Sequence, residues 1–333
     1  MRVVTVRSDA AGGDDTGLEF LEQHRRELTG YCYRMLGSVF EAEDAVQETL
    51  VRAWRSIDGF QGRSTLRSWL YRIATNVCLD MLRSGQRRAR PMDLGPSSTA
   101  DSFTRATLPE HAWLQPIPDA RVLPDGDPAE LAAAKETVRL AFVAALQQLP
   151  ARQRAVLILR EVLRWQAAEV AELLGTSVAS VNSALQRARA TLAARDAGAT
   201  RMHTVDAAQQ ELLARYVDAF ERYDIESLVS LLHEEAVMSM PPYDFWLSGP
   251  VEMSRWFLGE GSGCRGSRLV ATAANGCAAF GAYRPDPQGG YRPWAIQVVE
   301  ISGDRIVGHH NFLDTELFAV FSLPAHLPGV GNS

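Results

Sequence analysis

The stretch WQAAEVAELLGTSVASVNSALQRARATL, residues 165–192, contains two short amphipathic helical patterns separated by a single glycine. Apolar residues recur at helical spacing before Gly175 and again after it, and Thr176 and Ser177 are residue types that favour a helix N-cap. Two such helices joined by a tight turn are typical of a helix-turn-helix. The stretch therefore predicts a DNA-binding fold.

The second of these helices presents a polar face opposite its apolar stripe. Hydroxyl, amide and guanidinium groups hydrogen-bond to base edges and phosphates, and a helix that carries them fits the major groove of DNA. We therefore expect this helix to read duplex DNA. The candidate contacts on this face and its flanks are Ser180, Asn182, Ser183, Gln186, Arg187 and Arg189.

The net charge of −6 over 333 residues conceals an uneven distribution. Residues 52–90 carry a net charge of +7 and residues 135–205 carry +5. Residues 91–134 carry −5 and residues 206–333 carry −8. Because basic helices attract phosphates, the two basic blocks favour contact with nucleic acid, whereas the acidic segments between and after them do not.

Length and cysteine usage restrict the class of protein. A chain of 333 residues has room for two or three domains. Its four scattered cysteines form no Cys-x-x-Cys pair, which predicts neither a zinc site nor a disulfide framework. Since no apolar run suits a signal peptide or a membrane span, we expect a cytoplasmic protein without metal, cofactor or membrane contact.

The N-terminal part is predicted to be helical over residues 18–38, from Glu41 onwards and over residues 66–83. One face of the third helix combines an aromatic ring with cations and an amide, which can stack on unpaired bases and hold their backbone. The alternative is that the ring belongs to the core and the cations are solvated. The side chains concerned are Trp69, Arg72, Asn76 and Arg83.

Residues 91–134 contain seven prolines, a composition that predicts a linker without helices or a core of its own. Within this linker the stretch AWLQPIPD, residues 112–119, is apolar. We therefore expect Trp113 and Leu114 to dock on another part of the chain. Helices are expected to resume near Glu130.

Two segments resemble a known family. EDAVQETLVRAWRSIDGFQGRSTLRSWLYRIATNVCLDMLRSGQRR, residues 43–88, resembles region 2 of a bacterial RNA polymerase sigma factor of the extracytoplasmic-function group. LQQLPARQRAVLILREVLRWQAAEVAELLGTSVASVNSALQRARATL, residues 146–192, resembles region 4 of the same group. The resemblance implies that the chain binds core RNA polymerase and promoter DNA.

The resemblance also implies roles for individual residues. The helix that would dock on the polymerase clamp carries Asp44, Gln47 and Glu48, and the helix that would read the −35 element begins at Ser177. The candidates for melting and reading the −10 element are Arg63, Ser64, Thr65, Trp69, Arg72, Asn76 and Arg83.

One departure from the family concerns the −35 reader. Many members carry Lys-Ser-Arg where this chain has Asn182, Ser183 and Ala184. Two cations are therefore missing. We therefore expect either weaker binding to the −35 element or a different sequence preference. Each lost phosphate contact should lower the slope of log affinity against log salt by about one.

After residue 205 the pattern changes to an amphipathic helix followed by short strands that are separated by Asn-Gly and Gly-rich turns. This part resembles the SnoaL-like α+β cone, which occurs in cyclases, isomerases and non-catalytic pocket proteins. The predicted fold is thus a multidomain chain of two all-α domains and an α+β cone with a curved sheet. The predicted boundaries are 1–17 for a disordered tail, 18–90 for region 2, 91–134 for the linker, 135–196 for region 4, 197–205 for a hinge, 206–324 for the SnoaL-like domain and 325–333 for a tail.

A cone of this kind encloses a cavity that could hold a small ligand, although aromatic and methionine side chains at strand spacing are also typical of plain core. His309 and His310 are adjacent on a strand and should point to opposite faces. A catalytic pair of His309 with Asp314 is an open alternative. The candidate lining residues are Met238, Met240, Trp246, Trp256, Phe280, Tyr283, Trp294, His309 and Phe312.

Three hypotheses for function follow. The first is a non-enzymatic sigma factor whose C-terminal domain regulates it through contact with the sigma regions or with the linker near Trp113. The second is a DNA-binding protein fused to an active cyclase or isomerase. The third is a conventional helix-turn-helix repressor, which leaves the Gly59–Arg83 face unexplained and requires a dimer interface that the sequence does not indicate.

Overall fold

The computed structural model describes residues 21–60, 62, 64–83, 87–193 and 207–329. The predicted N-terminal tail, the predicted hinge and the candidate Arg63 lie outside the described residues. Three bodies are named below by their described residues: the N-terminal domain (21–90), the helix-turn-helix domain (128–193) and the C-terminal domain (207–329). The linker is the segment 91–127 between the first two.

The N-terminal domain contains helices α1 (Arg25–Leu36), α2 (Val39–Ser56) and α3 (Leu66–Met81). Helix α1 ends at Gly37, whose φ of 74° places it in the left-handed region, and Ser38 caps α2 by accepting a hydrogen bond from the Glu41 amide. Thr65 caps α3 in the same way, through the Ser68 amide. Local capping signals therefore set both ends of this helical pattern.

The helix-turn-helix domain begins earlier than the sequence predicted, because Pro128 starts its first helix. The helices of this domain are α4 (Pro128–Glu136), α5 (Leu140–Gln147), α6 (Ala151–Leu157, continued by a π-helical turn over Ile158–Val162), α7 (Ala167–Leu173) and α8 (Val178–Ala193). Helices α7 and α8 are joined through Gly175, whose φ is 60°.

The C-terminal domain is a six-stranded sheet with helices against it, the SnoaL-like α+β cone predicted from the sequence. The strand order is β2-β1-β6-β5-β4-β3, with β1 and β6 parallel and all other neighbours antiparallel. The strands are β1 (Leu232–Ser239), β2 (Trp246–Ser248), β3 (Arg268–Ala274), β4 (Cys277–Pro285), β5 (Tyr291–Ser302) and β6 (Arg305–Phe312), and the helices are α9 (Ala207–Arg222), α10 (Ile225–Ser230), α11 (Pro250–Leu258) and α12 (Leu317–Val320).

Both faces of this sheet are buried. Met238, Phe280 and Val299 point to the helix face, where they share a hydrophobic cluster with α9 and α11. Ala279 and Val298 point to the opposite face, which we call the junction face, and belong to a cluster that continues into the N-terminal and helix-turn-helix domains. The side-chain alternation of the strands thus joins the C-terminal domain to the two helical domains.

The linker contributes to this core through its apolar stretch, as the sequence predicted for Trp113 and Leu114. Trp113 and Leu114 are 2% and 1% exposed, and Ile117 is fully buried. The proline-rich chain forms only short 3-10 turns and isolated bridges, and it packs against surfaces that other segments provide. The linker is therefore a structural element between the domains.

Hydrogen bonds fix the linker along the N-terminal domain. The Leu114 amide donates to the Ala89 carbonyl, and the Gln115 amide donates to the Gly37 carbonyl, both at 3.0 Å. The Tyr33 hydroxyl donates to the Gln115 carbonyl at 2.7 Å. Polar backbone groups of the buried linker are thus satisfied by specific partners, as burial requires.

The C-terminal domain extends beyond residue 324, where the sequence analysis placed its end. The amides of Leu327 and Tyr291 each donate to the carbonyl of the other at 2.9 Å. Residues 325–329 are therefore attached to β5, and the predicted boundary of the tail was too early. No helix in the described part of the chain is long and apolar enough to span a membrane.

Leu114→Ala should lower the free energy of unfolding by about 2–5 kcal/mol, because it removes a fully buried side chain from a site between the linker and Gly37. Urea unfolding followed by circular dichroism measures this loss. Leu108→Ala is the matched control in the same linker, since Leu108 is 37% exposed. Equal losses for both variants would contradict the structural role of Leu114.

Candidate nucleic-acid interface

Helix α8 presents its polar face to solvent. All seven side chains predicted to contact the −35 element, from Ser177 to Arg189, are exposed. Ser177 also caps the helix by accepting from the Ser180 amide at 3.1 Å, and Arg189 forms an ion pair with Glu161. Apart from those two engagements, the face is available to a groove of DNA.

The predicted −10 residues lie on helix α3 and on the segments that flank it, in several environments. Asn76 and Arg83 are exposed, whereas Trp69 is half-buried with its ring centroid 5.1 Å from that of Phe60. Ser64 is also half-buried, and the Thr65 hydroxyl is engaged as the N-cap of α3. Trp69 is therefore neither a plain core residue nor a free stacking surface.

The helix-turn-helix domain packs directly on α3. Arg72 forms an ion pair with Glu172 of α7 at 3.5 Å. The ring centroids of Tyr71 and Trp165 lie 5.1 Å apart, and the Arg67 guanidinium lies 5.6 Å from the Trp165 centroid. Sequence reasoning missed this contact, because it joins residues about one hundred positions apart without any local signal.

Helix α2 exposes Asp44, Gln47 and Glu48, the predicted polymerase contacts, along one stripe. Glu43, which lies beside this stripe, forms an ion pair with Arg121 of the linker. The predicted polymerase-binding surface therefore remains open, although the linker runs along its margin.

A single side chain of the C-terminal domain meets both helical domains and the linker. Asn275, at the turn between β3 and β4, is fully buried. Its amide nitrogen donates to the Tyr33 hydroxyl and to the Val138 carbonyl, both at 2.7 Å. Its amide oxygen accepts from the Ile117 backbone at 3.0 Å, and its own backbone amide donates back to the Ile117 carbonyl at 3.1 Å. We call this group of contacts the Asn275 junction.

The neighbouring Gly276 allows the close approach that the junction needs. It has a φ of 72°, and a Cβ atom there would lie 2.9 Å from the Lys135 Cβ. Its amide donates to the Asp119 carboxylate at 2.7 Å. The Asn-Gly pair predicted only a tight turn between two strands. No local sequence signal indicates its contacts with other domains.

The helix face of the sheet contains a closed polar network around His309. The Tyr216 hydroxyl donates to the Gln297 side-chain oxygen at 2.9 Å and lies 2.8 Å from His309 Nε2. The Gln297 amide donates to the Asn311 side-chain oxygen at 3.1 Å, and the Asn311 amide lies 3.4 Å from His309 Nδ1. With its proton on Nε2, His309 donates to Tyr216 and accepts from Asn311, so the network is satisfied.

His309 is held neutral. Burial, together with the nearby charge of His310, lowers the pKa of His309 to about 3. Asp314, the partner considered from the sequence, instead accepts from the Glu316 amide at 2.9 Å beyond the end of β6. The described contacts thus give His309 a structural environment and pair it with no carboxylate.

His310 points to the junction face, as the alternation of the strand predicted. Its Nδ1 lies 2.9 Å from the Ser239 hydroxyl, and its Nε2 lies 3.8 Å from the Glu300 carboxylate. Burial raises the pKa of Glu300, but the adjacent His310 and the charges of Arg90 and Arg139 outweigh that effect and lower it to about 2.

The structure distributes the candidate cavity residues over three environments. Met238, Met240, Trp256 and Phe280 are buried on the helix face, and Trp294 packs at its edge. Tyr283 and Phe312 lie on the junction face instead, because each stands an odd number of positions from its helix-face neighbour, Phe280 or His309. Trp246 turns towards the linker, where its indole donates to the Gly95 carbonyl at 3.0 Å.

The described residues contain no group of three histidine, cysteine or carboxylate side chains able to hold a metal ion. The four cysteines are buried and unpaired by disulfides.

Comparison with known families matches both helical domains. Sigma-70 region 2 matches residues 20–88, and Sigma-70, region 4 matches residues 139–192. The first range covers the described N-terminal domain except its last two residues, and the second extends from the start of α5 almost to the end of α8.

Individual relatives match most of the chain. The ECF RNA polymerase sigma factor SigG of Mycobacterium tuberculosis is 46% identical over 310 residues, which cover 92% of this chain and 83% of that protein. SigJ of the same organism is 30% identical over 291 residues, which cover 84% of this chain and 86% of that protein. The crystal structure of SigJ superposes with a TM-score of 0.58 at 25% identity, covering 93% of this chain and all of that one.

The neutral His309 should make stability depend on pH. Below pH 6.5 the unfolded chain binds a proton at this residue, whereas the folded chain binds it only near pH 3. The free energy of unfolding should therefore fall by about 1.4 kcal/mol per pH unit as pH decreases from 6.5 to 5. Urea unfolding at several pH values should show this slope, reduced in His309→Gln and retained in His111→Gln, which alters an exposed histidine of the linker. An unchanged slope in His309→Gln would contradict the assignment.

Proposed function

The chain belongs to the extracytoplasmic-function RNA polymerase sigma factors, which direct transcription initiation, and from this premise we propose residue roles and a regulatory mechanism. As a sigma factor it binds core RNA polymerase and promoter DNA. We assign the polymerase contact to Asp44, Gln47 and Glu48 on α2. The −35 contact is assigned to the polar face of α8, and the −10 contact to the face of α3 with its preceding loop.

The exposed face of α8 is the observation that carries this assignment. It stands clear of the rest of the protein while the opposite stripe, Val181, Leu185 and Ala188, is buried. A cationic and amide-bearing helix that is free on one side and packed on the other is suited to insertion into a major groove. The acidic stripe on α2 is equally accessible, so both assigned surfaces can meet partners.

The arrangement of the two DNA-reading domains favours a closed resting state. Elements named −35 and −10 are centred about 25 base pairs apart, which is about 85 Å of B-form DNA at ~3.4 Å per base pair. In the structure α3 contacts α7, and α8 packs against α7. Packed helices lie about 8–10 Å apart between their axes, far less than the separation of the two elements. We propose that polymerase separates the two domains, since readers in contact cannot reach both elements.

We propose that the C-terminal domain stabilises this closed state through the Asn275 junction. Opening the two helical domains would break its hydrogen bonds to Tyr33 and Val138, which belong to different domains. A buried polar group that loses its partner costs about 1–3 kcal/mol. The charge of the C-terminal domain predicted contact with the basic DNA-reading faces or with the linker near Trp113, and the Asn275 contacts reach Ile117 of the linker together with Tyr33 and Val138 of the helical domains.

The C-terminal domain is proposed to act without catalysis. His309 is neutral, hydrogen-bonded within the polar network and surrounded by the rings of Tyr216, Phe220 and Phe257 at centroid distances of 5.8–6.5 Å. A general base needs access to a substrate proton, which this environment does not offer. The comparisons give no support to the alternative of a cyclase or isomerase. We further propose that the protein works in the cytoplasm, where it would meet polymerase.

Transcription with purified core polymerase tests the sigma function. The full chain should confer start-site selectivity on a genomic promoter library, and failure to do so would contradict the proposal. Arg187→Ala should weaken promoter binding and reduce the slope of log affinity against log salt by about one, because one phosphate or base contact is lost. Arg222→Ala, on α9 and ion-paired with Asp218, should leave affinity and slope unchanged.

Asn275→Ala tests the regulatory mechanism without removing the domain, whose deletion would expose the apolar surface of the helical domains and linker that the junction face covers. Loss of about 1–3 kcal/mol should shift the closed-to-open equilibrium about 5-fold to 150-fold. Small-angle X-ray scattering should then show a larger radius of gyration, and transcription at limiting core polymerase should rise.

Asn311→Ala is the control for this experiment, since it removes a buried asparagine of the same domain on the helix face. It should lower stability but leave the scattering profile and the transcription yield as in the wild type. The mechanism is wrong if Asn275→Ala remains as compact and as active as the wild type.

A further inference from the structure

One aromatic side chain anchors the exposed middle of the linker, residues 101–111, to the C-terminal domain. Among residues 101–111, all of which are described, only the side chain of Phe103 is not exposed. Its ring centroid lies 5.1 Å from those of Tyr243 and Phe245 and 4.8 Å from that of Trp256. We call the last three residues the aromatic box.

The geometry of these contacts is that of a ring-binding site. The planes of the three rings lie at 71–79° to the Phe103 plane, so each pair is close to the perpendicular edge-to-face arrangement that aromatic quadrupoles favour. Phe245 and Trp256 are themselves buried, and their centroids are 4.9 Å apart. The box is therefore built by the C-terminal domain, and Phe103 is its occupant.

Polar contacts flank this ring on both sides. The Ala100 amide donates to the Glu252 carboxylate at 2.8 Å, and the Leu108 amide donates to the Pro242 carbonyl at 3.1 Å. Between these two bonds the chain forms a 3-10 turn over Ala100–Ser102 and an isolated bridge from Thr107 to Tyr243, and residues 103–106 have no regular secondary structure. Release of the Phe103 ring would therefore leave the exposed residues 104–106, which include Arg105, without regular structure to hold them.

We propose that the aromatic box is a binding site for one planar aromatic group, that Phe103 is its tethered occupant, and that a free aromatic molecule competes with it. Glu252 at the edge of the box accepts a hydrogen bond, so the ligand is a neutral aromatic ring with an adjacent N–H or O–H donor. Displacement of Phe103 frees the middle of the linker around residues 103–106, while the contacts of Ile117 and Asp119 with the C-terminal domain remain. The inference deepens the proposed regulation of the sigma regions and rests on it for its consequence in transcription.

Trypsin cleavage at Arg105 measures release of the segment directly. Arg105 is exposed, and it is the only lysine or arginine between residues 91 and 120. Where opening is fast relative to cleavage, the rate of cleavage follows the population of the open form. Phe103→Ala, which abolishes three aromatic contacts, should raise the cleavage rate at Arg105 about tenfold or more in the full chain. Leu108→Ala, which keeps the ring, should leave the rate unchanged.

Indole serves as the free aromatic probe, because it combines a planar ring with one N–H donor. Indole should accelerate cleavage of the wild-type chain to a plateau. The apparent Kd for indole and the cleavage rate both depend on the fraction of molecules whose aromatic box is empty. Phe103→Ala should therefore lower the apparent Kd by the same factor as it raises the cleavage rate. Trp256→Ala should abolish the response to indole, and cyclohexylmethanol, an aliphatic alcohol, should produce none.

Three results would overturn the proposal: wild-type cleavage in Phe103→Ala, equal indole affinity in both chains, or an equal effect of cyclohexylmethanol. If Phe103→Ala proves unfolded by circular dichroism, Phe103→Leu keeps the apolar volume and should give an intermediate cleavage rate. Because the assay contains neither polymerase nor DNA, its failure is distinguishable from failure of the proposed sigma regulation.

Discussion

The side chain of Asn275 satisfies hydrogen-bonding groups of the N-terminal domain, the linker and the helix-turn-helix domain at the same time. Such a group tolerates no alternative placement once it is buried, because loss of any one partner leaves a donor or acceptor unpaired in a medium of low dielectric constant. The positions of the two helical domains relative to each other are therefore tied to the turn between β3 and β4. The remaining contacts between domains, such as that of Arg72 with Glu172, are compatible with this position and add to it.

The C-terminal sheet is the other half of this arrangement, because it buries different partners on its two faces. Its helix face is closed by α9 and α11, and its junction face completes the core of the sigma regions. Separation of the domains would expose apolar surface to water, at a free-energy cost of about 25 cal/mol for each Å² exposed. In the proposed mechanism polymerase supplies a differential binding free energy that offsets this cost. A shift from about 1% to about 99% open molecules requires about 5.5 kcal/mol. A ligand or contact that loosens the linker lowers the requirement.

Most secondary structure in the described chain followed from local pattern. The start of α2, both ends of α3 and the start of α8 were predicted to within two residues, and the turn between β3 and β4 was predicted from its Asn-Gly pair, because helix caps and Asn-Gly turns are local signals. Tyr283 and Phe312 were predicted to line the cavity because they are aromatic. Each lies three positions from a helix-face residue, Phe280 or His309, and this odd spacing places them on the junction face. The docking of Trp113 and Leu114 was predicted from their apolar character within a proline-rich segment. The surface on which they dock was not, because it is supplied by segments distant in the sequence.

The sequence by itself determined the family, the two DNA-reading helices and the α+β character of the C-terminal domain, since each depends on periodicity and motif spacing within a few tens of residues. Only the tertiary structure decided which surfaces cover one another: Trp165 on Tyr71, Asn275 between the domains, and Phe103 in the aromatic box. These contacts join residues 94 to 242 positions apart. No local preference encodes such pairings, because they arise from the complementarity of whole surfaces after the local elements have formed.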